Sequence, residues 1–249
     1  MRWRKPCAAA LAKPDNGCSI VGDMTDGRAV AGKAPGVFIT FEGGDGVGKS
    51  THIRLLEEAL TQHGYEVVRV REPGGTAIGE ALRALVLDPA HGEMTPEAEL
   101  LIYEAARAQI VAEVIAPALA RGAVVLCDRF FDSTVAYQAF ARGLDRSFVN
   151  AANAFAVNGT APDRTLLLVC ENAEEGLERA QELAEPDRLE QEGIAFHEKV
   201  RQGFAALAAE EPERVRVVDS QGDVNDTARA IAAELADLFP WLPEEVARG

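Results

Sequence analysis

The stretch FEGGDGVGKST at 41–51 constrains this chain more than any other. Gly43, Gly48, Lys49 and Ser50 satisfy G-x-x-x-x-G-K-[ST], a loop whose glycines let backbone N–H groups converge on phosphate oxygens. Such a loop works between a strand and a helix N-terminus. Both flanks are legible. VFITFE (37–42) is a β-branched and aromatic run of the kind expected in a buried parallel strand, and helical spacing follows from Ser50 to about His63, with Gly64 where a helix would end.

The loop residues Gly43, Gly44, Asp45, Gly46, Val47, Gly48, Lys49, Ser50 and Thr51 are therefore expected to bind the phosphates of a nucleotide such as ATP. Lys49 should reach the β- and γ-phosphates, and Ser50 a magnesium ion. The motif alone leaves open whether the phosphate is transferred to an acceptor or drives a conformational switch.

Further strand candidates are EVVRVRE (66–72), VVLCD (124–128), TLLLVC (165–170) and VRVVD (215–219), separated by helical segments. This alternation predicts an α/β fold with a parallel five-stranded sheet covered by helices on both faces. Thr95, Pro96 and Glu97 have the order of a helix N-terminus, and that helix should run to about Arg121. Tyr103 and Arg107, four residues apart, then share one face.

Composition excludes some partners. The 249-residue chain is 47% hydrophobic, ample for a core, and carries a formal charge of −15. A nucleic-acid polymer or an anionic membrane needs an extended positive field, so neither is an expected partner. Apolar runs such as VAEVIAPALA (111–120) fall short of the roughly 20 residues that span a bilayer. Cys7, Cys18, Cys127 and Cys170 form no C-x-x-C pair, and the last two, in apolar runs, read as buried thiols of a cytoplasmic protein.

Residues 1–35 differ from the rest. They lack hydrophobic period and hold six of the 25 Lys and Arg against three of the 40 Asp and Glu. They are expected to be a disordered extension, with translation from Met24 as an alternative, and 36–249 to form the folded domain.

Asp128, at the end of VVLCD, is placed to complete the magnesium site, or else to cap the next helix. Arg129 follows at the sheet edge where open α/β sheets bind ligands, placed to clamp a phosphate or to pair with Asp128 or Asp132. The loop REPGGT (71–76) brings Arg71 to the same edge.

Taken in order, FEGGDGVGKST, REPGGT, ELLIYEAARAQ (99–109), DRFFDSTVAYQ (128–138), PDRTLLL (162–168) and DRLEQEGIAFHEKVRQGF (187–204) resemble the bacterial thymidylate kinase family over about 36–238. The resemblance implies a P-loop nucleoside monophosphate kinase fold with a short lid at about 176–190, acting on ATP and dTMP with Mg²⁺, and a homodimer. It implies that Asp45 meets the deoxyribose 3′-OH and the metal surroundings, and that Arg129 and Arg71 hold the acceptor phosphate. Tyr103 would lie against thymine and Arg107 would donate to a base oxygen. Thr134 and Gln138 would line the base and sugar pocket, and Tyr137 would crowd the 2′ position.

The P-loop carries no arginine, so the family pattern moves that charge to the lid. Arg179 is the lid candidate, with Arg188 the other basic residue of 176–190. The catalytic set expected is thus Lys49, Arg129 and Arg179. A kinase for another nucleoside monophosphate is the nearer alternative, and a P-loop switch protein the more distant one. N-K-x-D, the guanine-reading signature, does not occur.

Overall fold

The computed structural model describes residues 36–170 and 186–246. The expected extension, 1–35, and most of the expected lid, including Arg179, lie outside these residues.

Strands β1 (Val37–Glu42), β2 (Val67–Arg71), β3 (Val124–Asp128), β4 (Arg164–Val169) and β5 (Val215–Asp219) form one parallel sheet in the order β2-β3-β1-β4-β5. The expected strands appear within a residue of their expected bounds. Because neighbours on a strand point to opposite faces, β1 serves two cores. Ile39 and Phe41 pack with Ile53, Leu56 and Leu60 on one side, whereas Phe38 packs with Ile110, Ile115 and Phe130 on the other. Phe38 and Phe41 are fully buried, so truncating either to alanine should cost about 3–5 kcal/mol.

Helix α1 (Lys49–Gln62) follows the phosphate loop, and Gly64 adopts φ 83° just beyond its C-cap, as the glycine position anticipated. Helix α2 (Ala77–Leu87) is capped by Thr76, whose hydroxyl accepts from Gly79 N at 2.9 Å. Helix α3 (Pro96–Ile110) starts as expected, with Thr95 capping Ala98 N. Its continuation is not uniform. A π-helical turn spans Val111–Ile115 before α4 (Ala116–Ala120), and the Ala116 N–H bonds back to the Val111 carbonyl. Pro117 explains the widening, since proline supplies no N–H and its ring crowds the carbonyl four residues back.

After β3 come α5 (Phe131–Thr134) and a second π segment, Val135–Ala141. The remaining α-helices among the described residues are α6 (Arg146–Val157), α7 (Ile194–Glu210), α8 (Val224–Glu234) and α9 (Leu242–Val246). The Val135–Ala141 segment packs on α7, where Tyr137 meets Phe204 edge-on at 6.4 Å.

Candidate functional site

The sheet register delivers the site. Phe41 and Arg71 both align with Asp128, so the loops after β1, β2 and β3 emerge together at the carboxyl edge. The phosphate loop turns through positive φ at Gly43 (129°), Gly46 (71°) and Gly48 (90°). A side chain at Gly43 would meet the Leu168 carbonyl oxygen at 2.2 Å, so the strand-to-loop turn requires glycine there.

Lys49 is buried, with Nζ donating to the carbonyls of Gly44 (2.6 Å) and Gly43 (3.3 Å). Burial and the nearby Arg129 charge pull its amine down to about 8. Ser50 Oγ donates to Asp128 Oδ2 at 3.2 Å, which joins the two residues expected to hold the metal.

Arg129 occupies the left-handed region (φ 68°), a conformation costly for arginine. Its backbone is fixed on both sides: its N–H donates to Phe41 O at 2.9 Å and its carbonyl accepts from Cys127 Sγ. Its guanidinium donates to Asp45 Oδ1 (2.5 Å) and Gly43 O (2.8 Å), and lies 5.4 Å from the Tyr137 ring centre. Burial alone would raise the Asp45 carboxyl, but the charges of Arg129 and Lys49 hold it below the ordinary range. The open pairing question for Arg129 is thereby answered: Asp132 instead binds Arg214 at 2.7 Å.

Glu42, which sequence reasoning passed over, organises this turn from within. It is fully buried and accepts from Phe130 N (2.7 Å) and Ser133 Oγ (2.6 Å), while Arg129 donates to the same Ser133 hydroxyl at 3.3 Å. Burial and the neighbouring Asp132 charge push its carboxyl up to about 7. Its place inside the quoted phosphate-loop stretch was the available signal.

Beside this loop lies an open cleft of about 680 Å³ including its mouth. Asp45, Tyr103, Arg107, Arg129, Thr134, Tyr137 and Gln138, the residues expected at the substrate apart from Arg71, all line it. Arg71 does not stand among its lining residues. Its guanidinium binds Glu80 at 3.1 Å and Pro73 O at 3.2 Å, on the exposed side of the β2 loop. Arg83, which the sequence reading did not single out, faces the cleft and donates to Pro73 O at 2.9 Å.

Arg107 is the most enclosed cation of the site, 1% exposed. It donates to Glu72 (2.8 Å), Glu104 (2.9 Å), Thr134 Oγ1 (2.8 Å) and Asn153 Oδ1 (2.8 Å). Glu72 is buried with one carboxylate oxygen unpaired, and desolvation pushes it up to about 7. Glu72 was legible as part of REPGGT; Asn153, from α6, carried no sequence signal.

Thr134 and Gln138 reach the cleft from the α5–π junction and not from one regular helix. The widened turns are visible as Arg142 N bonding to Tyr137 O. Arg188, the second basic residue of the expected lid stretch, is buried on α2 and α3, donating to Val86 O (2.8 Å) and Glu99 Oε2 (2.6 Å).

The chain is similar to known proteins in both sequence and fold. A family model described as "Thymidylate kinase" matches residues 41–231. The thymidylate kinase of Geobacter sulfurreducens is 49% identical over 211 residues, covering 82% of this chain and 99% of that protein. That of Gloeobacter violaceus is 51% identical over 205 residues, covering 82% and 95%. Among solved structures, the thymidylate kinase of Ehrlichia chaffeensis superposes with a TM-score of 0.65 at 32% identity, over 81% of this chain and 99% of the other.

Proposed function

The chain belongs to the thymidylate kinase family, and from that premise we propose that it transfers the γ-phosphoryl group of ATP to dTMP, giving ADP and dTDP. The observation that carries this reading is Arg129. Bonded to Asp45 and Gly43 O of the phosphate loop and lining the cleft, it supports a reading in which an acceptor phosphate in the cleft meets a donor phosphate on the loop.

A dTMP phosphate oxygen is already ionised near neutral pH, so the nucleophile needs no strong general base. The barrier lies in bringing two anions into line, which makes positioning and charge neutralisation the principal terms. Lys49 exchanges its carbonyl partners for phosphate oxygens of ATP, and Arg129 holds the dTMP phosphate. Tyr103 and Tyr137 flank the nucleoside, while Arg107, Thr134 and Gln138 address the base. Arg179 is assigned the charge that closes over the phosphates, and Arg71 a supporting place at the acceptor side.

The residues at the loop suit Mg²⁺. Ser50 and Asp128 present a hydroxyl and a carboxylate oxygen within 3.2 Å of each other, the hard donors this ion takes beside phosphate and water oxygens. Mg²⁺ held there supplies neutralisation of the ATP phosphates.

No helix among the described residues is long and apolar enough to cross a membrane, and we place the enzyme in the cytoplasm. We assign a homodimer to the face of α3 and α6, which pack together and expose Leu101, Phe148 and Phe155, the last 86% exposed.

ADP release measured with ATP plus dTMP, dUMP, AMP, CMP or GMP in turn tests the reaction. Turnover should be highest with dTMP and vanish in Lys49→Ala. Preference for another monophosphate, or hydrolysis indifferent to any acceptor, would overturn it. Sedimentation as a clean monomer at micromolar concentration would remove the dimer.

A further inference from the structure

Glu99, on α3, is fully buried and touches no expected substrate contact directly except one. Its Oε1 accepts from Gln138 Nε2 at 2.7 Å and from Arg142 Nε at 3.2 Å. Its Oε2 accepts from Arg142 Nη2 at 3.0 Å and Arg188 Nη2 at 2.6 Å. Four donors on two oxygens leave a carboxylate little freedom to rotate and little capacity for other partners.

Building on the proposed reaction, we infer that Glu99 is a specificity-determining positioning residue: it fixes the Gln138 amide with nitrogen inward and oxygen toward the cleft, so that the site reads a base N–H.

An ionised carboxylate only accepts hydrogen bonds, so the amide edge facing it must be the NH₂ edge. Burial would raise the Glu99 carboxyl, yet its bonds to Arg142, Gln138 and Arg188 hold it below the ordinary range, which keeps it an acceptor. Gln138 Oε1 accepts no hydrogen bond among the described residues, and Gln138 lines the cleft. The acceptor Gln138 holds free for a ligand is therefore its carbonyl oxygen, with the amide nitrogen on the Glu99 side.

A carbonyl acceptor discriminates between pyrimidines by the ring nitrogen between their polar substituents. Thymine and uracil carry N3–H there, a donor that suits Gln138 Oε1. Cytosine carries a bare lone pair, which would meet another lone pair. A freely rotating glutamine would offer its NH₂ to cytosine at little cost, so the selectivity resides in what prevents the flip. That is Glu99, held in turn by Arg142 and Arg188.

The test measures kcat/KM for dTMP, dUMP, dCMP and N3-methyl-dTMP in the wild type, Gln138→Ala, Glu99→Gln and the double variant. In the wild type, dUMP should retain the N3–H preference, while dCMP and N3-methyl-dTMP fall at least about 100-fold below dTMP, as expected when a site's polar group is left facing the wrong partner. Glu99→Gln, which can present either amide edge to Gln138, should shrink the dTMP/dCMP ratio at least about tenfold. In the Gln138→Ala background the same change should leave that ratio unaltered, the signature of action through Gln138. If Glu99→Gln does not fold, Glu99→Asp keeps the charge for Arg142 and Arg188 but withdraws it by one methylene, and must shift the ratio in the same direction. Equal losses for dTMP and dCMP in the Glu99 variants, or wild-type turnover of N3-methyl-dTMP near that of dTMP, would overturn the inference. Absence of dTMP turnover in the wild type would instead refute the reaction on which it rests.

Discussion

Arg129 Nη2 lies 2.5 Å from an Asp45 carboxylate oxygen, and this pair fastens the loop after β3 to the loop after β1. Both side chains are about one-fifth exposed, so the pair is screened less than a surface ion pair and still open to ligand. The phosphate loop and the turn after β3 are thus held at one separation.

Arg129→Ala should lower kcat/KM for dTMP by at least about 10³, in line with the loss of a charge that stabilises a transferring phosphoryl group. Asp45→Asn keeps the shape and leaves Arg129 bonded to Gly43 O, so its loss should be smaller. Because the two share one contact, the double variant should lose less than the sum of the singles. Steady-state kinetics of the three variants checks this, and strictly additive losses would show that the residues act independently.

Arg107→Ala should raise KM for dTMP while leaving KM for ATP little changed. It should also destabilise the fold by about 3–5 kcal/mol, because Glu72 and Glu104 would be left buried without their cation. At this chain length that corresponds to a fall of roughly 10 °C in Tm. Adding Glu72→Gln and Glu104→Gln should recover much of the Tm without recovering the KM. Thermal melts beside the kinetics separate the two roles; an unchanged Tm in Arg107→Ala would show that the cluster contributes nothing to stability.

Stability should fall as pH rises from about 5 toward 7. Glu42 and Glu72 both have folded-state values of about 7, above the unfolded carboxylate value of 4.5. The folded state therefore binds more protons in that window, and their contribution, fully present below 4.5, is lost as pH passes through 7. The ceiling is about 3 kcal/mol for each group. Denaturant titrations at pH 5 and pH 7.5 read the difference, which Glu42→Gln should reduce. A change in stability across this window that is the same in the wild type and in Glu42→Gln would show that Glu42 takes up no proton on folding.

Much of this was legible because its code is local. Gly43, Gly48 and Lys49 specify a strand, a phosphate loop and a helix within one short stretch, and the four-residue spacing of Tyr103 and Arg107 put both on the cleft side of α3. Glu99 lies one further step of four back on that face, so its position was readable although its role was not. That role depends on Gln138, Arg142 and Arg188, which only tertiary packing brings to it. The π segments were not legible, since apolar period reports which face is buried and not which carbonyl each N–H selects. Arg71 shows the converse limit: its strand-end position was evident, but the exposed bond to Glu80 was not.

Two cations that line the cleft come already matched with anions, Arg129 with Asp45 and Arg107 with Glu72 and Glu104, as does the buried Arg188 with Glu99, whereas Arg83 donates to Pro73 O. In a chain of formal charge −15, such matching leaves little positive potential reaching into solvent. Nucleotides, themselves polyanions, are then expected to approach against mild repulsion and not to be drawn in from a distance. On the proposed function, capture is an exchange at contact, in which a phosphate oxygen replaces a carboxylate or carbonyl that the arginine or lysine already held. Dissolved salt, which slows encounter in systems with a bare positive funnel, should here screen the repulsion and hasten it, as nucleotide association rates measured against ionic strength would show.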